Sequence, residues 1–341
     1  MVADNIIPDI FEVIKIINDQ NRKMQDFCDT TPEPKEMLYK AIFRSSQGKF
    51  FQLKMPSGEV RLTPYQPSIW LYRGQTADYG ECLPSLHRNE PSELDFLIAR
   101  IKQIQFESVL LDHPAVIDII KSDFHVNFNG LAQHYSLKTE LLDLTSDISV
   151  AAFFATCSYS SEANQYVPQT DSPIGVVYKT LQLALSTPEP NAKLKFDIVG
   201  LQPFYRPAEQ KAYSYEFYPG ETFPAHKLFF KQSKKQSEKI YEMFEGGKKL
   251  FPEDSVAQKA CMISTGKSLD EESFFSAIER YGFIERHDKY LEDLSERGFT
   301  ICTGNPYLFS KAEVDKFHSM WVSGGKDEFF SKIAQPPLFS I

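Results

Sequence analysis

Two stretches of this sequence hold residues that could do chemistry together. The first is Trp70-Leu71-Tyr72-Arg73-Gly74-Gln75. Its three apolar residues favour a pleated, half-buried strand, and the arginine that follows carries a planar, always-charged fork that fits a phosphate or a carboxylate. Gly74 lets the backbone turn or approach another group closely, and Gln75 adds a polar side chain beside it. The second stretch runs from His134 through Thr139, Asp143 and Thr145 into the apolar residues 150–155. Ser146 or Asp147 is placed to cap a helix there. The first turn of such a helix offers free N–H groups and a positive dipole to an anionic ligand. Each residue also has a plainer reading. Arg73 can be an ion-paired arginine at a strand end, Asp143 and Thr145 can brace the strand-to-helix turn, and His134 can be a turn histidine.

The elements that must position these residues follow from patterning. Pro8 followed by Ile10, Val13, Ile14 and Ile17 predicts an amphipathic helix. Residues 50–55 and 60–62 flank Ser57-Gly58 and predict a hairpin. A linker broken by Pro64 and Pro67 then leads to the Arg73 strand. Ser92 with Asp95 predicts a capping box, opening a helix whose one face carries Leu94, Leu97, Ile98, Ile101 and Ile104. Short strands are expected at 175–178, 197–199 and 228–230. From about residue 264 the pattern turns helical. Ser268 with Glu271 and Ser310 with Glu313 read as capping boxes, and Gly282, Gly298 and Gly324 as helix ends. The expected fold is α+β, a mixed sheet core around a cleft with peripheral helices and a helical C-terminal appendage. Its expected divisions are an N-terminal helix and hairpin at 1–64, a core domain at 65–262 and the appendage at 263–341.

Composition narrows the function classes. With 341 residues the chain can bury a substantial core, and its net charge of −9 argues against sequence-independent binding of nucleic acid through a globally basic face. A local basic patch remains compatible. The lysines of residues 231–239 read as a solvated helix face. Five scattered cysteines with no CxxC pair argue against a disulfide framework or a zinc site and fit a reducing cytosol. No apolar run reaches 18 residues, and residues 1–5 carry no basic start, so neither a membrane partner nor secretion is expected. A cytoplasmic location is the expectation. His87, His125, His134 and His226 show no HxxxH-type spacing, so no metal is expected and a nuclease built on Asp143 and the histidines is disfavoured.

Taken in order, these motifs resemble the FRG domain, a bacterial family named for an aromatic-Arg-Gly signature. Leu83-Pro84-Ser85-Leu86-His87-Arg88 is similar to the family's "LxPSLxR" run. Residues 134–145 are similar to "HYGxPTRLLDWT", with Ser136, Glu140 and Leu144 standing where the family has glycine, arginine and tryptophan. Residues 206–214 resemble an "RxxxQxGxF" strand that keeps Gln210, with Ala212 for the glycine and Ser214 for the aromatic residue. Residues 238–260 resemble a closing helix–"LFP"–helix segment, so the resemblance extends over residues 65–262.

The family's plan is in turn similar to that of ADP-ribosyltransferase folds, which implies NAD as cofactor. On that resemblance Arg73, with Gly74 and Gln75, would meet the NAD phosphates. The Ser/Thr element at Thr145 would position the nicotinamide ribose, His134, Thr139 and Asp143 would join the cofactor-binding residues, and a carboxylate on a third strand would direct glycosidic cleavage. This sequence has Gln210 at that third place, and an amide supplies no negative charge. Glu209 would point to the opposite face of a strand. Glu216, of the same strand parity as Gln210, is therefore the carboxylate candidate, giving Gln210 and Glu216 as the catalytic pair. The competing expectation is a non-catalytic module in which Arg73, Thr145 and Gln210 recognise a nucleotide or a nucleic-acid end while the helical tail docks a protein.

Overall fold

The computed structural model describes residues 6–30, 50–64, 68–163, 165–169, 172–183, 195–201, 203–217, 220–283, 287–334 and 339–340. The α+β class is as expected. In chain order the core elements begin with helix α1 (Ile10–Thr30), strands β1 (Phe51–Lys54), β2 (Val60–Thr63) and β3 (Ser68–Gln75), and helices α2 (Glu93–Leu111), α3 (Pro114–Lys121) and α4 (Phe128–His134). Strand β4 (Leu141–Thr145), helix α5 (Ile148–Thr156), and strands β5 (Cys157–Ser160), β6 (Gln165–Pro168), β7 (Ile174–Leu183) and β8 (Phe196–Ile198) follow. Helix α6 (Tyr205–Glu209), strands β9 (Ala212–Glu216) and β10 (His226–Lys231), and helices α7 (Lys234–Met243) and α8 (Ser255–Thr265) complete this part.

Six strands form the main sheet in the order β10-β7-β3-β4-β9-β8, every neighbour antiparallel. Parallel pairing occurs in the smaller sheets, where β1 lies beside Phe339–Ser340 as well as beside its hairpin partner β2. The main sheet has one weak seam. β3 is paired with β7 along its whole length, from Ser68 opposite Leu183 to Gln75 opposite Val176. With β4 it shares a single pairing, Tyr72 opposite Thr145. Beyond that point the ladder between β3 and β4 stops, and the sheet opens where Arg73 and Asp143 stand.

Strand alternation sorts the two faces of the sheet. Tyr72, Val177 and Phe230 pack with Ile10, Val13 and Ile17 of α1 and with the buried α5. Leu71, Val176, Tyr178, Leu142, Leu144, Tyr213 and Tyr215 face the other way into a second cluster. Helix α5 is buried on nearly all sides, which its Ile-Ser-Val-Ala-Ala-Phe-Phe-Ala-Thr sequence permits. Its alanines allow a close approach. A Cβ built on Gly74 would stand 1.9 Å from the carbonyl oxygen of Ala151, so only glycine fits where β3 meets α5. The Asp147 side chain caps α5, accepting the Ser149 amide at 2.8 Å.

The amphipathic first helix, the hairpin and the Ser92–Asp95 capping box are observed. The linker expected around Pro67 lies outside the described residues, as does the side chain of Cys28. Helices α9 (Glu271–Tyr281), α10 (His287–Glu296), α11 (Lys311–Met320) and α12 (Lys326–Ser331) dominate the C-terminal part, with short strands β11 (Ser268–Asp270) and β12 (Thr300–Cys302) paired in parallel. Leu94, Leu97 and Ile101 of α2 pack with Phe274, Ile278, Tyr290 and Leu294.

Two local expectations are corrected here. Ser268 lies in β11, and the cap of α9 is Asp270, which accepts the Ser273 amide at 2.8 Å. Gly324 ends no α-helix but sits, at φ +149°, inside a π-turn joining α11 to α12. Gly282 does close α9 in the left-handed conformation, and the Ser310–Glu313 box is present. Among the described residues no helix is long and apolar enough to cross a membrane.

Candidate functional site

At the seam between β3 and β4 lies a cleft of about 720 Å³. Its floor is Arg73, Asp143, Gln133, His134 and Gln210, and one wall is Phe154, Tyr166, Phe251 and Arg206. Arg88, Lys138, Glu81 and Tyr79 stand at its rim.

Arg73 occupies the opening itself. Its Nη1 donates to the backbone carbonyl of Asp143 at 2.9 Å and forms an ion pair with the Asp143 carboxylate. The guanidinium thus satisfies backbone that the interrupted ladder leaves unpaired. Burial works against the charge of both groups, and their mutual attraction overcomes it. Arg73 is held charged, and the Asp143 carboxyl is held well below the usual carboxylate range, with His134 helping. The Asp143 side chain retains a third of its surface while Arg73 retains 11%. Asp143 therefore presents a fixed negative charge at the cleft floor. The plain ion-pair reading of Arg73 is realised, and the residue still lines the cleft.

A polar network extends from this pair. Gln133 donates to Asp143 Oδ1 at 3.2 Å and accepts from the Thr139 hydroxyl at 2.5 Å. Gln210 donates to the carbonyl of Leu250 at 3.0 Å, which fixes its amide and turns Oε1 toward His134 Nδ1 at 2.9 Å. His134 then donates through Nδ1. Burial lowers the His134 pKa, against the pull of Asp143 and of the Gln210 bond, which favours the neutral ring.

The expected site residues thus separate. Arg73, Gly74, Gln75, His134, Asp143 and Gln210 line the one cleft. Gln75 Oε1 accepts from the Tyr178 hydroxyl at 3.1 Å. Thr139 and Thr145 stand behind the floor as braces. Thr139 is fully buried and accepts the Leu141 amide at 3.1 Å. The Thr145 hydroxyl donates to the Gln210 carbonyl at 2.7 Å and accepts the Asp147 amide at 3.0 Å.

The third strand is corrected. Residues 205–209 form the short helix α6, Gln210 is its C-cap, and β9 starts only at Ala212 after Lys211 at φ +45°. Strand parity therefore does not run from Gln210 to Glu216. Glu216 lies at the far end of β9, opposite Leu141, outside the residues that line the cleft.

The departures from the motif pattern have physical reasons. Ser136 lies at φ +70°, the left-handed region that a glycine fills without strain. Glu140 is turned away from the cleft, and its carboxylate accepts from Arg100 at 2.6 Å, whose guanidinium lies 4.2 Å over the ring of Tyr281.

What composition could not reveal is the charge of the cleft. Arg88, Lys138 and Arg206 line it, and among the described residues no carboxylate pairs with any of them. Arg88 Nε donates to the Leu83 carbonyl at 3.0 Å, and both burial and the nearby charge of Arg73 lower its pKa. Against these cations stand the exposed Glu81 and Asp143, the latter already matched by Arg73. A cationic cleft thus sits in a chain of net charge −9. The aromatic wall is ordered, with Tyr166 stacked on Phe251 at 4.8 Å and 14°.

No curated protein and no solved structure matches this chain. The FRG domain model matches residues 68–164. The matched segment starts with β3 and ends beyond β5, so Arg73, His134, Asp143 and α5 lie inside it and Arg206, Gln210 and residues 238–260 lie beyond it. The FRG match thus covers the part of the cleft built by β3, α4, β4 and α5.

Proposed function

We propose that the cleft binds a phosphorylated nucleotide and acts as a recognition module. The observation that carries this reading is the convergence of Arg88, Lys138 and Arg206, none paired with a carboxylate among the described residues, on one cleft walled by stacked aromatics. Guanidinium and ammonium groups in such a place suit phosphate oxygens, and an aromatic wall suits the flat face of a base. Arg73 serves this site by holding Asp143 and the open seam in place. Asp143, acceptor-only when ionised, suits ribose hydroxyls.

A second reading, an NAD-using transferase, draws on Asp143 alone. An ionised carboxylate at the cleft floor could stabilise positive charge developing at a glycosidic carbon. Its charge is already matched by Arg73, and Glu216 stands outside the cleft lining, so the recognition reading is preferred. The full chain would be titrated with NAD, ADP and AMP while its melting is followed. A ligand at 100 times its dissociation constant adds about 2.7 kcal/mol. Nicotinamide release is followed in parallel. Binding without release supports the module, and steady release would establish the transferase. No shift with any of the three would end the nucleotide reading.

A further inference from the structure

Arg206 differs from the two other arginines of the cleft in that its guanidinium makes no hydrogen bond among the described residues. Arg73 is bound to Asp143 through Nη1, although its own buried Nε meets no acceptor among the described residues, and Arg88 spends its Nε on a backbone carbonyl. The guanidinium of Arg206 lies 4.6 Å over the ring of Phe251 and 5.6 Å from that of Tyr135. Its Nε is buried and meets no acceptor among the described residues. Asp254, the acid whose charge reaches it, is engaged elsewhere. One Asp254 oxygen accepts from the Tyr135 hydroxyl at 3.0 Å and the other from the Ala257 amide, capping α8. The flat face of Arg206 is therefore held by an aromatic ring while its hydrogen-bonding edge is bare. That is the form of a prepared anion receptor, since the stacked ring fixes the fork and leaves its N–H groups for a ligand.

Its position adds a constraint. Arg88 lies in the segment that follows β3 and Arg206 in the helix that leads into β9, so the two reach the cleft from separate parts of the chain. We propose that Arg206 receives a second phosphate, distinct from the one met by Arg88, so that the ligand class is a nucleoside diphosphate or a diphosphate-bridged nucleotide. This rests on the nucleotide reading of the cleft and names the ligand class within it.

The test compares ADP with AMP by calorimetry on the full chain and on Arg206→Gln, with a thermal melt of each. The expected result is at least tenfold tighter binding of ADP than AMP by the unaltered protein. Arg206→Gln should lose that preference, its ADP affinity falling at least tenfold further than its AMP affinity. Equal weakening of both nucleotides in the variant would overturn the proposal, as would the absence of an ADP preference in the unaltered protein. If Arg206→Gln does not fold, displacement of ADP from the unaltered protein decides. Inorganic pyrophosphate must act at a tenfold lower concentration than inorganic phosphate, and equal potency overturns the proposal. If neither nucleotide binds the unaltered protein, the nucleotide reading itself fails, which is a separate and recognisable result.

Discussion

Replacing Arg73 with Met tests whether this arginine holds the open seam together. The change keeps length and apolar volume, removes the cation, and leaves Asp143 without its partner. Removing one member of a buried ion pair costs about 3–5 kcal/mol, because the remaining charge stays desolvated. Here the Asp143 side chain keeps 33% of its surface, so water recovers part of that loss and the lower end, about 3 kcal/mol, is expected. For a cooperative unfolding of 341 residues, about 2.1 cal/mol/K per residue converts this to a fall in Tm of about 4 °C.

The pH dependence carries the diagnostic. In the parent protein Asp143 is depressed when folded. Its stabilisation is present above the unfolded value near about 4 and is lost as pH falls through the lower folded value. Without Arg73, burial should outweigh the remaining pull of His134 and of a backbone hydrogen bond and raise the same carboxyl, so that it protonates in the folded variant as pH falls toward 4.5. The penalty should therefore shrink by about 1 kcal/mol between pH 7 and pH 4.5. Urea denaturation followed by circular dichroism at the two pH values measures it. A penalty below about 0.5 kcal/mol at pH 7, or one that grows on acidification, would refute the account of this pair.

Three further substitutions probe the same frame. Gly74→Ala should cost more than about 3 kcal/mol or prevent folding, because the new Cβ meets the Ala151 carbonyl at 1.9 Å and the Ala155 nitrogen at 2.5 Å; soluble yield and a melt report it. Thr145→Ala removes the bonds to the Gln210 carbonyl and the Asp147 amide and should cost about 1–2 kcal/mol. Since Thr145 stands behind the floor, nucleotide affinity measured at saturating stability should stay within about twofold. Ser136→Gly relieves a positive φ of 70° and should be neutral or stabilising by up to about 1 kcal/mol, whereas Ser136→Val should destabilise; denaturant midpoints of the pair decide.

Much of the frame was legible because it rests on local patterns. The apolar run of residues 70–72, the capping boxes at Ser92 and Ser310 and the apolar run of α5 each leave a signature within a few residues. The errors arise where a longer-range interaction won. The Ser268–Glu271 spacing fits a capping box, yet Ser268 pairs with Thr300, thirty-two residues away, and Asp270 takes the cap. The resemblance of residues 206–214 to a motif strand puts Gln210 on a strand, whereas it caps a short helix. The signal against the strand was Arg206-Pro207-Ala208-Glu209, with a proline acceptable in a first helical turn and good helix formers after it. The open seam leaves no local trace, since the pairing register of β3 depends on two partner strands. Glu140 is a further case, because only its pairing with Arg100, forty residues earlier, explains why a carboxylate is tolerated there.

The residue that stands out most in the sequence is held inside the protein by an ion pair with Asp143. Arg73 follows an apolar strand run, and a strand fixes its residues by pleat and register, so its guanidinium is committed to Asp143 before any ligand arrives. Arg88, Lys138 and Arg206 come from loops and a five-residue helix. Such segments are held less tightly by backbone pairing and are where binding groups concentrate. Their charges cannot be summed from composition, because they converge from three separated parts of an acidic chain. This divides the labour at the cleft. On the nucleotide reading, Arg73 and Asp143 set its shape and so govern stability, and Arg88, Lys138 and Arg206, which meet no carboxylate among the described residues, would supply the attraction for phosphate. Loss of Arg88 or Arg206 should therefore weaken binding with little change in Tm, while loss of Arg73 should lower both together.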